Sequence, residues 1–272
     1  MIIKDYSVSQ EDFTLVYDSL LELYRTNPVP DELGKYYESE TYISHTDSRK
    51  TLFDRLYQWV KSYNLKHKIA LIKQYKKGNI HLLDIGAGTG DFVLSSKKYA
   101  HWEAMGIEPS EKARGKAEEK GLLLQADFGN LLPHSFDVIT MWHVLEHVPD
   151  VTQEIQIISN LLKENGIAVI AVPNYRSWDA QHYKEHWAAY DVPRHLWHFS
   201  KKSIEQLFAK EGFHLLATHP MLFDAFYVSM LSEQYKTGKK SFLKGFLNGL
   251  RSNYYGCRKG EYSSQIYILG KK

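Results

Sequence analysis

The chain has 272 residues, 43% hydrophobic and 24% charged, a balance that excludes disordered and fibrous classes and suits one large globular domain or a core with a small one appended. Its 34 basic and 32 acidic residues leave a formal net charge of +2, so no general field draws it to nucleic acid or to an anionic membrane, and neither partner is expected. A single cysteine, Cys257, excludes an intramolecular disulfide framework, and the lack of a long apolar stretch predicts a soluble, cytoplasmic protein that is neither processed nor membrane-spanning.

Residues 1–78 read as an N-terminal, mostly helical extension. Leu52, Leu56, Trp59 and Val60 recur at helical spacing in a segment starting near Ser48, and further turns around Ile69 and Ile72 end at Gly78, a suitable C-cap. After Gly78 short apolar runs alternate with amphipathic stretches. The runs Ile80 to Ile85, Glu103 to Ile107, Leu122 to Gln125, Phe136 to Trp142 and Ile167 to Val172 read as buried parallel strands. Between them lie helices predicted over Gly90 to Tyr99, Ser110 to Lys120 and Val151 to Glu164. Right-handed crossovers then give an α/β, Rossmann-like, doubly wound sheet over residues 79–272. A helix over Ser200 to Glu211, strands over Phe213 to Ala217 and Gln265 to Leu269, and a helical insertion over residues 221–260 complete the chain. The helical N-terminus and the aromatic segment from Met221 to Tyr255 are candidate homodimer surfaces.

The strand ending in Asp84 turns through Gly86, Ala87, Gly88 and Gly90 into a helix, which places backbone amides at the carboxyl edge of the sheet, where such folds bind ligands. The third glycine comes one residue earlier than in the G-x-G-x-x-G pattern of dinucleotide enzymes, which disfavours a nicotinamide cofactor without excluding it. Glu108 closes the next strand, at the distance where a carboxylate can accept both ribose hydroxyls, and Asp127 with Phe128 follows the strand after that. Three acidic residues at three successive strand ends point to a nucleoside more strongly than any one of them.

The segments Asp84-Ile85-Gly86-Ala87-Gly88-Thr89-Gly90-Asp91, Glu108, Asp127 and Met141-Trp142-His143-Val144-Leu145-Glu146-His147-Val148 resemble the class I, S-adenosylmethionine-dependent methyltransferases over roughly Ile80 to Val172. The segments Tyr36 to His45 and Trp187 to Ser200 look similar to one bacterial branch of that family. The resemblance implies a mostly parallel seven-stranded sheet whose last strand is antiparallel. It implies a site for S-adenosyl-L-methionine, leaving as S-adenosyl-L-homocysteine, built from Asp84, Gly86, Ala87, Gly88, Gly90, Glu108, Pro109, Asp127, Phe128 and His143. The acceptor it implies is a small molecule or a glycan, and whether oxygen, nitrogen or carbon is methylated is left open.

His143-Val144-Leu145-Glu146-His147 also spells the H-x-x-E-H zinc-peptidase pattern, but that chemistry needs both histidines on one helix face, and His143 falls at the mouth of a predicted strand; no metal is expected. Methyl transfer chiefly requires alignment, exclusion of water and, for a hydroxyl, a base. His147 and His195 are the candidate bases, with His143 and His198 beside them, and each could equally be a packed structural histidine. The aromatic-rich stretch over residues 174–199 reads as a substrate lid, with Trp187, Asp191, Arg194 and His195 facing the acceptor; a salt-bridged loop anchor reads it as well. The alternatives to a methyltransferase are a nicotinamide-dependent oxidoreductase on the same core and a non-catalytic cofactor-binding or scaffold protein.

Overall fold

The computed structural model describes residues 1–37, 52–129 and 131–271, with the side chains of 52–59 excepted. The expected helix start at Ser48 to Thr51, and Glu38 to His45 of the family-like segment, lie outside the described residues. Among the described residues the chain divides into two compact units: 1–37, 143–156 and 170–269 in one, and 52–129, 131–142, 157–169 and 270–271 in the other.

The second unit carries the alternation read from the sequence. Helix α1 (Leu52–Tyr75) buries Ile69, Leu71 and Ile72, and is followed by β4 (His81–Ile85), α2 (Asp91–Ala100), β5 (Glu103–Ile107), α3 (Glu111–Glu118) and β6 (Phe136–Trp142). Strand β4 pairs in parallel with β5 on one side and β6 on the other, in a register that sets Asp84 opposite Gly106 and Thr140. All but one residue of β4 is buried, as a central parallel strand covered on both faces must be. Helix α3 opens on Ser110, whose side chain accepts from the amide of Ala113 at 3.3 Å, an N-cap. The expected strand at Leu122 to Gln125 is reduced to one parallel bridge, Ile107 with Gln125, where the Gln125 amide donates to Gly106 and the Glu108 amide to Gln125. Two hydrogen bonds hold the chain there without making a ladder, so among the described residues the sheet has six strands rather than seven. Its order is β5-β4-β6-β7-β10-β9, mostly parallel, with β7 at Leu162–Pro173, β9 at Phe213–Pro220 and β10 at Ser264–Lys271.

The other unit departs from the expectation of a mostly helical N-terminus. Residues 2–27 form β1 (Ile2–Lys4), β2 (Asp12–Asp18) and β3 (Leu23–Asn27), and β8 (Trp197–His198), from the predicted lid, completes a four-stranded antiparallel sheet in the order β1-β2-β3-β8. The reason is a two-residue period: Phe13 and Leu15 are buried while Asp12, Thr14 and Val16 are exposed, so one face of β2 is apolar. That face packs with Ile3 against Tyr183, Trp187, Tyr190 and Val192. The stretch read as a lid is therefore core, each such buried side chain contributing roughly 1.5–3 kcal/mol. Helices α4 (Val151–Leu161), α5 (Trp178–Tyr183), α6 (Lys201–Ala209), α7 (Asp224–Thr237) and α8 (Phe242–Lys259) complete the regular elements; α4 ends three residues before the expected Glu164 because β7 starts at once, and α7 with α8 forms the expected insertion. No helix among the described residues is long and apolar enough to cross a membrane.

Candidate functional site

The glycine loop leaves β4 and enters α2 with φ of 68° at Gly86, 54° at Gly88 and 76° at Gly90, all left-handed. A side chain at Gly90 would be strained by that angle and would run into Leu122, whereas the space beside Gly88 is open for 4 Å. The loop's amides are not bare, contrary to expectation. Ala87 donates to the Ile107 carbonyl at 2.9 Å, Gly90 to Ala87 at 2.9 Å, and Gly88 to Glu108 Oε2 at 2.7 Å. The loop thus acts by pinning a carboxylate: Glu108 Oε2 is held by Gly88 and Oε1 by the Ser110 amide at 2.9 Å. A carboxylate offers about four lone-pair positions, so two remain for a ligand's hydroxyls.

Asp84, beneath the loop, is almost fully buried and accepts a 2.6 Å hydrogen bond from Thr140 Oγ1. Burial pushes its carboxyl up to about 7, against the Thr140 bond and the Lys68 ammonium, which favour the anion. Thr140 was missed by sequence reading, although the register of two predicted parallel strands points to it. Lys61 and Lys120 hold Asp91 at 2.9 and 3.0 Å, fixing the start of α2. Lys68 lies 4.0 Å over the Trp142 ring. Pro109 and Asp127 are exposed and Phe128 is half-buried. An open space at Gly88, a pinned carboxylate with spare lone pairs, and an exposed Asp127 fit a nucleoside cofactor bearing ribose hydroxyls.

The remaining candidates belong to the other unit. His143 sits at φ 58°, a left-handed angle uncommon for a histidine, with its amide bonded to Ala171. Its Nε2 lies 2.9 Å from Asp224 Oδ2 and its Nδ1 3.3 Å from Glu146 Oε1. Burial disfavours its charge, but these two carboxylates override that and push it up to about 10. Both of its nitrogens thus lie beside carboxylates, which is where the structure places the residue expected to touch the cofactor. Glu146 is fully buried; burial would raise its carboxyl, yet the His143 charge holds it below the usual range. Neither of its oxygens has an aligned hydrogen-bond partner.

His147 Nδ1 lies 3.0 Å from the Arg194 carbonyl and 3.0 Å from the Tyr37 hydroxyl, and His195 Nδ1 2.9 Å from the Ala189 carbonyl. A carbonyl only accepts, so Nδ1 carries the proton in both rings, and wherever a ring holds one proton its Nε2 carries the lone pair. The rings meet edge to face, 4.6 Å apart. Burial holds His195 well below its ordinary value and His198 down at about 3, so both are neutral bases. Glu146, His147 and His195 bring ligand atoms within 4.8 Å of one another, a donor set a divalent cation could take, whereas His143 of the zinc-peptidase pattern is not part of it. The backbone from Leu145 to His147 is a single 3-10 turn, not the helix that pattern needs.

Of the four residues expected to face an acceptor, three are buried, Trp187, Arg194 and His195. Trp187 is buried with its indole N–H on Asp179 at 2.8 Å. Arg194 is fully buried, donating to Asp5 at 2.9 Å, Asp191 at 2.7 Å and the Tyr36 carbonyl at 3.1 Å. Burial alone would raise Asp5, but Arg194 and the amides of Ser7 and Ser9 hold it down at about 2. The salt-bridged anchor, the second reading of this loop, describes Arg194 and its partner Asp191. Asp5 and Asp224 carry no signal in their local sequence, whereas Tyr37 falls in the Tyr36 to His45 segment of the family resemblance.

A family model described as a methyltransferase domain matches residues 55–218. Among curated proteins the chain is similar to a ubiquinone biosynthesis O-methyltransferase of Aeromonas salmonicida, 34% identical over 102 residues, which cover 34% of this chain and 43% of that protein. The chain spans less than half the length of the curated relatives it matches. Among solved structures it is similar to Haemonchus contortus phosphoethanolamine N-methyltransferase 2 in complex with S-adenosyl-L-methionine, with a TM-score of 0.52, 17% identity, and 76% of this chain and 52% of that one covered. It is also similar to the cyclopropane synthase MmaA2 of Mycobacterium tuberculosis, with a TM-score of 0.52, 16% identity, and 87% and 88% covered. At these identities the structural likeness is one of fold.

Proposed function

Because the chain belongs to the methyltransferase-domain family of class I, S-adenosylmethionine-dependent enzymes, we propose that it transfers a methyl group from S-adenosylmethionine to a hydroxyl of a small organic acceptor. The observation that carries the cofactor half is Glu108, pinned by the Gly88 and Ser110 amides with lone pairs to spare. In this reading Glu108 accepts the ribose hydroxyls, the open side of Gly88 admits the amino-acid portion, and Asp127 with Phe128 borders the adenine. When bound, the cofactor supplies an electrophilic methyl on a positively charged sulfur. The nicotinamide alternative is disfavoured by the family match as well as by the loop spacing.

The choice of oxygen and of a small molecule rests on the name of the Aeromonas relative together with the two imidazoles that meet edge to face. His147, its Nδ1–H held by the Arg194 carbonyl, presents Nε2 to take the hydroxyl proton, and His195 lies edge-on to it. Arg194 and Tyr37 position that ring and do not touch the acceptor. Calorimetric titration with S-adenosylmethionine tests the first half: Glu108→Ala should weaken binding about ten- to hundredfold, the worth of hydrogen bonds to a charged group. Undiminished binding would sink the site. Transfer of a labelled methyl to a panel of phenols, amines and sugars tests the second, and product on amines or sugars alone would overturn it.

A further inference from the structure

Helix α8 is built inside out. Its buried face is small and polar: Gly245, Asn248, Gly249, Ser252 and Gly256. A Cβ at Gly245 would come within 2.7 Å of the Met230 backbone, and one at Gly249 within 2.8 Å of the Phe226 backbone, so α7 and α8 touch main chain to main chain. Asn248 Nδ2 donates to Tyr183 at 2.8 Å and to Glu233 at 3.1 Å, and Ser252 donates to Asp179 at 2.6 Å, which satisfies the polar groups of this face. The large apolar side chains point the other way. Phe242 is 67% exposed, Leu243 69%, Leu247 45% and Leu250 44%, with Phe246 and Tyr254 in the same class.

At 3.6 residues per turn these six fall in a continuous arc of roughly 140° on the helix, and Lys244, Arg251 and Arg258 occupy roughly the next 40°. From Gly238 to Gly260 the chain holds six basic residues and no acidic one. The near-neutral total of +2, which argues against a membrane partner for the whole chain, averages over this segment. An apolar stripe this long is more than the scattered exposure of an ordinary surface. Two copies of the stripe paired about a twofold axis would bring cationic rims together with no carboxylate on either helix to receive them. An anionic lipid surface supplies both the apolar depth and the opposite charge, with long cationic side chains able to lift their heads to the phosphates.

We propose that α8 is an interfacial helix that seats the protein on an anionic bilayer surface, apolar stripe down, without crossing it. This does not depend on what the protein methylates. The test is co-sedimentation of the full chain with phosphatidylglycerol/phosphatidylethanolamine vesicles and with phosphatidylcholine vesicles, alongside Leu243→Glu/Leu247→Glu and Lys244→Glu variants. These side chains are exposed, so melting curves should match wild type. Expected are binding to the anionic vesicles, weaker binding to the neutral ones, a loss of about tenfold or more in the double variant, and about fivefold or more for Lys244→Glu. No binding to anionic vesicles, or equal binding by the double variant, overturns the proposal. So does a wild-type dimer in light scattering that becomes monomeric in the double variant and ignores vesicles, since the stripe would then be covered by a second copy.

Discussion

The glycine loop and the Trp187 to Phe199 stretch are both rich in residues that chemistry uses, yet the structure employs them in opposite ways. At the loop, seven consecutive residues and the end of the next strand pin Glu108 by local geometry and leave it lone pairs to spare. In the other region Trp187 and Arg194 are consumed by the interior, the guanidinium spent on carboxylates 189 and 3 residues away in sequence. A polar side chain at a strand end is held ready for a ligand; one that has found buried partners is part of the scaffold.

The sharpest way to break this contrast is Arg194→Ala. Removing one partner of a buried pair leaves Asp5 and Asp191 uncompensated, so urea unfolding should show a loss of about 3–5 kcal/mol. A near-neutral result with acceptor affinity lost would return Arg194 to the acceptor site. Asp84 gives the next largest effect, and its sign is the test. With its folded value raised from 3.8 to about 7, the unfolded chain ionises first as pH rises. The contribution of Asp84 to stability is fully present below about pH 4 and falls away through pH 7, at a slope of at most about 1.4 kcal/mol per pH unit. Asp84→Asn should flatten that part of the profile; an unchanged slope would mean that Asp84 is ionised in the fold. Glu108→Ala, whose affinity loss is given above, should cost only about 1 kcal/mol in unfolding, the reverse of Arg194→Ala.

How far the sequence could be read follows the same line. The strands β4, β5 and β6 and the helices between them were legible because each is a local period bounded by glycine or serine caps. The position of Glu108 was legible because it follows from where a strand ends. The N-terminal sheet was not, although the alternation in Phe13 and Leu15 was visible, because its fourth strand is Trp197–His198 and pairing across some 170 residues leaves no local mark. Thr26 shows the point: its hydroxyl donates to the His195 carbonyl at 2.6 Å and lies 3.0 Å from His198 Nε2, a contact that nothing near Thr26 announces. The aromatic density of residues 174–199 was real, but exposed loop and buried hub look alike until the other side of the packing is known.

His143 offers the smallest and finest test, since it stands one residue beyond β6 in a left-handed conformation that costs of order 1 kcal/mol unless its surroundings hold it. The holding group is the carboxylate pair, Asp224 at 2.9 Å and Glu146 at 3.3 Å. Because the folded value is raised from 6.5 to about 10, the ion pairs contribute fully below about pH 6.5 and are lost as pH rises through 10. Asp224→Asn should therefore cost about 1 kcal/mol at pH 6, a figure discounted for the partial exposure of both groups, and progressively less toward pH 10. Parallel thermal melts of the two proteins at pH 6, 8 and 10 measure the difference. A gap that widens with pH would mean His143 is neutral in the fold, which would free its ring to meet the cofactor as the sequence suggested.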